Sequence, residues 1–213
     1  MKEERDIKQK IIEKAEEMFR KFGYTKVTME ELASELGISK KTLYKHFSNK
    51  EHVLKEMVHA NKCEVDEFID ELMNDTVTPF LDKLKKFMNF IAKISKKIEG
   101  TMIKDLMEKH PEIWRDIEEF RANHAYKNLS KLIKEGMENG VFRNDINADI
   151  IVLTYVSAIH SLINPQALSK LPVSADQAFR DILQILFEGI FTSDGRKKYK
   201  NKFMSNETLG EIN

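Results

Sequence analysis

Between Gly37 and Lys50 the chain carries four lysines and no Asp or Glu, in a protein whose acids and bases otherwise alternate closely. Lys40, Lys41 and Lys45 are interleaved with Thr42, Tyr44 and His46, and Lys50 follows. Ammonium groups address phosphate oxygens and the acceptor edge of guanine, while hydroxyl and imidazole groups donate to phosphate. One helix presenting such side chains fits the major groove of B-form DNA. An isolated Lys-Lys pair is ordinarily a solvated surface feature; a lysine run cleared of acids reads as a nucleic-acid contact.

Local signals define the elements that must hold these side chains. Thr28 with Glu31 is a capping box that starts a helix, whose Leu32, Ala33 and Leu36 share a face. Gly37 supplies the positive φ of a helix end, and Ser39 caps a second helix. On that helix Leu43 and Phe47 are four residues apart and turn inward, leaving Lys40, Lys41, Tyr44 and Lys45 outward. Ser48 with Glu51 reads as another capping box. Two short helices joined by a glycine-containing turn form the helix-turn-helix pattern.

The run from Ile11 to Leu54 resembles the DNA-binding domain of TetR-family transcriptional regulators. The resemblance is carried by Ala15, Phe19, Gly23, Thr28, Met29, Leu32, Ala33, Gly37, Ile38, Ser39, Thr42, Leu43, Tyr44, His46, Phe47, Asn49, Lys50 and Glu51. It implies that the helix from Ser39 to Phe47 enters the major groove. Thr28, Met29, Thr42, Tyr44, His46 and Lys50 are then expected on the DNA backbone, and Lys40, Lys41 and Lys45 on bases.

Composition sets the frame. The 213 residues carry 35 bases against 35 acids, so any attraction to nucleic acid must be local. Residues 1–50 hold twelve Lys and Arg against nine Asp and Glu, a slight excess of the required sign. The single cysteine, Cys63, excludes an internal disulfide. The absence of a long apolar segment points to the cytoplasm and to no membrane partner. Four prolines, eight glycines and no alternating apolar pattern predict an all-α fold of about nine helices.

The expected organisation is a three-helix DNA-binding domain over 1–50, its core extending to about 60. A larger helical domain follows over 51–194, then a polar, flexible tail over 195–213 with five bases in its first eight residues. The first helix runs from Glu4 to Phe22 with Ile7, Ile11, Ala15, Met18 and Phe22 inward. A long helix extends from Ser48 to about Asn74. Thr78 caps a helix opened by Pro79 and ending near Gly100, a short one covers Met102 to Lys109, and Pro111 opens another that runs to Asn139. Asn147 caps a helix from Ala148, and Ser174 with Gln177 forms the capping box of one running to Phe191.

The helices from Ala148 and from Ala175 are apolar nearly all round and must be covered on more than one side. The resemblance implies that they pair with a second copy, and Tyr155, Ile159, Leu162, Phe179, Leu183 and Phe187 are the expected dimer contacts. It also implies a small-molecule site in the central helices, for which Phe87, Met88, Phe90, Met102, Met107, Trp114, Phe120, His124 and Tyr126 are the candidates, with His110 a further polar group. Aromatic and Met side chains suit adaptable apolar pockets and also fill cores. No Gly-rich phosphate loop, nucleophile elbow or clustered His, Cys and carboxylate spacing is present, so neither catalysis, nor a cofactor, nor a metal is expected. The expectation is a repressor that holds a palindromic double-stranded DNA as a homodimer and is released by an apolar effector; the alternative is a DNA-binding protein that senses nothing.

Overall fold

A computed structural model describes residues 2–95, 100–162 and 165–203. Its helices are α1 (Lys2–Phe22), α2 (Met29–Glu35), α3 (Lys40–His46), α4 (Lys50–Asn74), α5 (Phe80–Ser95), α6 (Gly100–Lys109), α7 (Pro111–His124), α8 (Ser130–Glu138), α9 (Ala148–Leu162), α10 (Pro165–Leu168), α11 (Ala175–Ile190) and α12 (Ser193–Phe203). A π-helical turn, Ala125–Leu129, joins α7 to α8. The protein is all-α, and among the described residues no helix is long and apolar enough to cross a membrane. The chain divides into two compact units, residues 1–68 with 97–120, and residues 69–96 with 121–213. The division cuts α4 after Phe68 and α7 after Phe120.

In the first unit Ile11, Ala15 and Phe19 of α1 are fully buried with Leu32, Leu43, Phe47, Val53 and Leu54. Ion pairing of Lys8 with Glu56 at 2.6 Å links α1 to α4. Phe22 is not in this core and is 46% exposed. It occupies the last helical position, and Gly23, at φ 86°, turns the chain so that Tyr24 packs edge-on against Phe19 instead.

Several boundaries differ from the sequence reading. Asn49, not Ser48, caps α4: its Oδ1 accepts the His52 amide at 2.8 Å, while Glu51 pairs with Lys55. The carbonyl of Pro79 accepts the Lys83 amide that closes the first turn of α5, so the helix starts one residue later than a Thr78 cap requires. The predicted helix from Pro111 to Asn139 is continuous but holds the π-helical turn. Asn139 and Gly140, at φ 66°, end it as expected. Asn147 receives the Asp149 amide, and Ser174 caps α11; the Gln177 side chain donates to Asp181 rather than back to the cap.

The second unit is built around Phe142, which is 1% exposed and meets the rings of Phe80, Phe187 and Phe191 at centroid distances of 5.3–5.8 Å. A short antiparallel bridge pairs Phe142 with Phe191. The helix α12 covers Ser193–Phe203, so residues 195–203, expected as flexible chain, are helical. Gly195 lies where any Cβ would come within 2.2 Å of the Val141 carbonyl, and Lys202 pairs with Asp82 at 2.6 Å. Residues 204–213 lie outside the described chain.

Candidate nucleic-acid interface

The Thr28 hydroxyl accepts the Glu31 amide at 3.2 Å while the Glu31 carboxylate accepts the Thr28 amide at 2.8 Å, closing the predicted capping box. The Thr28 amide, and the Thr28 hydroxyl that also donates to the carboxylate at 2.8 Å, hold the Glu31 carboxyl below its ordinary range. At the far end of α2 the Gly37 amide donates to Ser34 and the Ile38 amide to Ala33, each at 3.0 Å. This double closure needs a left-handed residue at its centre, and Gly37 has φ 65°. The Ser39 hydroxyl then accepts the Thr42 amide at 3.0 Å and starts α3.

With Leu43 and Phe47 at zero exposure, the orientation of α3 is fixed. Lys40, Lys41, Tyr44 and Lys45 are exposed, and Thr42 and His46 are half-buried. Lys40 pairs with Glu30 of α2 at 3.1 Å, both side chains being half or more exposed, an interaction that water and salt weaken. Thr28 is exposed at the start of α2, whereas the Met29 side chain is 6% exposed and packs inward. Any contact of Met29 with a phosphate therefore uses its backbone.

Lys50 has a different role from the other lysines. Its ammonium donates to the carbonyls of Tyr24 at 2.9 Å and Val27 at 2.8 Å, with Thr25 at 3.4 Å, and sits 4.3 Å over the Tyr24 ring. Burial lowers its proton affinity, against the attraction of Asp105 and Glu31. It thus ties the loop between α1 and α2 to the first turn of α4. Sequence reasoning missed this, since the acceptors are backbone groups of no distinctive residue type. It also missed two further attachments of the same loop: the Thr25 amide donates to Asp105 of α6 at 2.8 Å, and the Tyr24 ring meets His110 edge-on at 4.8 Å.

The remaining candidates distribute unevenly. Of the proposed pocket residues, Met102, Met107, Trp114 and Phe120 belong to the first unit, and Phe87, Met88, Phe90, His124 and Tyr126 to the second. Phe87, Phe90, Met102 and Trp114 are buried, Met88, Met107, Phe120 and His124 are half-buried, and Tyr126 is exposed. Of the proposed dimer contacts, Tyr155, Phe179, Leu183 and Phe187 are buried inside the second unit, and burial raises the Tyr155 phenol well above its usual range. Ile159 is half-buried and Leu162 exposed. The outward apolar residues of α9 and α11 are Ile150, Leu153 and Ile185, at 57%, 49% and 74% exposure, with Leu162 at 38%, and beside Gly189 a Cβ would meet open space.

Residues 11–57 match the family model described as bacterial regulatory proteins, tetR family. The chain is 24% identical over 163 residues to YvaF, an HTH-type transcriptional regulator of Bacillus subtilis (strain 168), covering 76% of this chain and 85% of that one. It is 27% identical over 201 residues to the HTH-type transcriptional repressor KstR2 of Mycolicibacterium smegmatis, covering 88% and 92%. Its fold is shared with a putative transcriptional regulator from Saccharomonospora viridis solved in complex with choline, at TM-score 0.59 and 23% identity over 88% of this chain and 98% of that one. These relatives are described as regulators of transcription.

Proposed function

We propose that this chain, a DNA-binding transcriptional regulator of the TetR family, represses transcription by holding a palindromic operator as a homodimer and leaves it when a small, largely apolar effector binds. The observation that carries the reading is α3: a helix clamped by Leu43 and Phe47, turning Lys40, Lys41, Tyr44 and Lys45 to solvent with no acid in its own sequence. Lys40, Lys41 and Lys45 read bases or phosphates, and Thr28, Thr42, Tyr44, His46 and the Met29 backbone fix the register on phosphates. Lys50 supports the module from behind.

A two-fold DNA site requires two copies of α3 about 34–36 Å apart, one in each half-site. The outward apolar residues of α9 and α11, rather than the buried Tyr155 or Phe187, supply the contact between copies. A repressor among the relatives supports the sign of regulation. The effector half rests on the aromatic and Met content of α5 to α8 and on the choline-bound neighbour of the same fold. α4 and α7 each run unbroken from one compact unit into the other, so a rearrangement around an effector has continuous helices through which to act.

Selection of bound duplexes from a random pool, followed by anisotropy at several salt concentrations, tests the reading. The selected sites should be palindromic. Replacing Lys40, Lys41 and Lys45 together by Ala should lower the salt slope by roughly one for each lysine that holds a phosphate, or abolish about 1–3 kcal/mol of discrimination for each that reads a base. Unchanged affinity, slope and sequence preference would remove α3 from the interface. For the effector, coupling of about 1–3 kcal/mol weakens operator binding roughly 5- to 150-fold, and operator must weaken the effector by the same factor.

A further inference from the structure

We infer that Glu51, His110 and Glu112 form a binding site for one divalent transition ion of the zinc class, which fastens the turn between α6 and α7 to the first turn of α4. One ligand atom from each of the three lies within 4.8 Å of the other two. His110 Nδ1 is 3.5 Å from Glu112 Oε1, and the imidazole is held edge-on against Tyr24 with only 14% of its side chain exposed. The two carboxylates come from segments about sixty residues apart in sequence, and neither the capping of α4 nor the reading of DNA calls for them to converge on an imidazole. At present Lys55 offsets this concentration of negative charge: it pairs with Glu51 at 2.5 Å and also feels Glu112.

The geometry needs little adjustment. Zinc binds imidazole nitrogen and carboxylate oxygen at about 2.0–2.2 Å, which sets ligand atoms around one ion roughly 3–3.5 Å apart. The widest separation must therefore close by about 1–2 Å. The ends of Glu51 and Glu112 can do this by rotation, since their side chains are 45% and 54% exposed, while His110 is the fixed member. One nitrogen and two oxygens favour zinc and its neighbours over magnesium, which takes oxygen ligands and keeps its waters. Glu112 also lines a neighbouring groove of about 290 Å³ with Lys55, Val58, His59, Lys62 and Ile113, and the half-exposed Glu51 and Glu112 side chains leave the ion's remaining positions to water.

The test uses the full chain carrying Cys63→Ser, because Cys63 lies 3.7 Å from His59 Nε2 and that pair is a second zinc-binding possibility. Cobalt(II) serves as the spectroscopic probe, with zinc added in competition and the bound ion counted by elemental analysis. One cobalt per chain should bind, give visible d–d absorption and be displaced by zinc, while magnesium in large excess leaves the spectrum unchanged. Glu112→Gln and His110→Gln should each weaken binding at least about tenfold, the smallest effect usual even for outer partners of a metal site. The thermal midpoint of the parent should rise with the logarithm of zinc concentration, and that of Glu112→Gln should not. No cobalt bound at micromolar concentration, or equal binding by parent and Glu112→Gln, overturns the assignment; the exposed position of Glu112 makes this variant decisive even if His110→Gln fails to fold.

Discussion

Lys50→Met separates two roles that the same lysine can play at the edge of a helix-turn-helix module. Methionine keeps the apolar stem and removes the ammonium, leaving the Tyr24 and Val27 carbonyls without their donor. Charge-assisted bonds are worth about 1.5–3 kcal/mol each, so two of them bound the loss at roughly 6 kcal/mol. Because the side chain is half-buried, water takes over part of what the carbonyls lose, and about 2–3 kcal/mol is expected. For a chain of this length that lowers the thermal midpoint by roughly 4–12 °C. Binding measured well below the transition should keep its full salt dependence, since every phosphate contact is still made. A phosphate-binding Lys50 gives the opposite pair of results: melting like the parent, and a salt slope reduced by about one. That outcome would refute the strut and return Lys50 to the DNA surface.

Phe47→Ala removes a fully buried ring from the anchor of α3 and should cost roughly 3–5 kcal/mol, with DNA binding abolished through melting of the module; a variant that melts normally yet fails to bind would mean that Phe47 faces DNA. Gly136→Ala places a Cβ 2.2 Å from the Phe142 ring and 2.7 Å from Phe80, where carbon contacts sit at about 3.5–4.0 Å. The overpacking, about 1–3 kcal/mol, should outweigh the gain in helix propensity, and chemical denaturation showing equal or greater stability would count against the packing described for this ring cluster. Leu153→Arg with Ile185→Arg, both at exposed positions, should give a monomer by sedimentation with helix content intact; a persistent dimer would place the contact elsewhere.

How much of this was legible follows from the distance over which each feature is decided. Thr28 with Glu31, Gly37, Ser39, Asn147 and Ser174 were readable because a cap or a left-handed turn is settled within about four residues of chain. The inward set of α3 was readable for the same reason: Leu43 and Phe47 are one turn apart and no other pair on that helix is apolar. The first helix shows the limit. Its periodicity admits Phe19 or Phe22 in the core, and the choice depends on Tyr24, which follows the turn at Gly23 and takes the space beside Phe19.

Features decided by distant parts of the chain left no local trace. Lys50 meets carbonyls 23 and 26 residues earlier, and Asp105 meets an amide 80 residues earlier; acceptors and donors of the main chain are common to nearly every residue and mark no pattern. The all-round apolarity of α9 and α11 showed that two sides need cover, yet not which side the chain covers itself. Tyr155, Phe179 and Phe187, whose rings carry the greatest apolar surfaces and gain most from burial, fill the unit's own core together with Leu183. Ile150, Leu153, Leu162 and Ile185 are what remains outside. The polar sites follow the same logic. Glu51, His110 and Glu112 have no metal-binding spacing because about sixty residues of chain separate Glu51 from the α6–α7 turn, and only the fold brings the three side chains within reach of one ion.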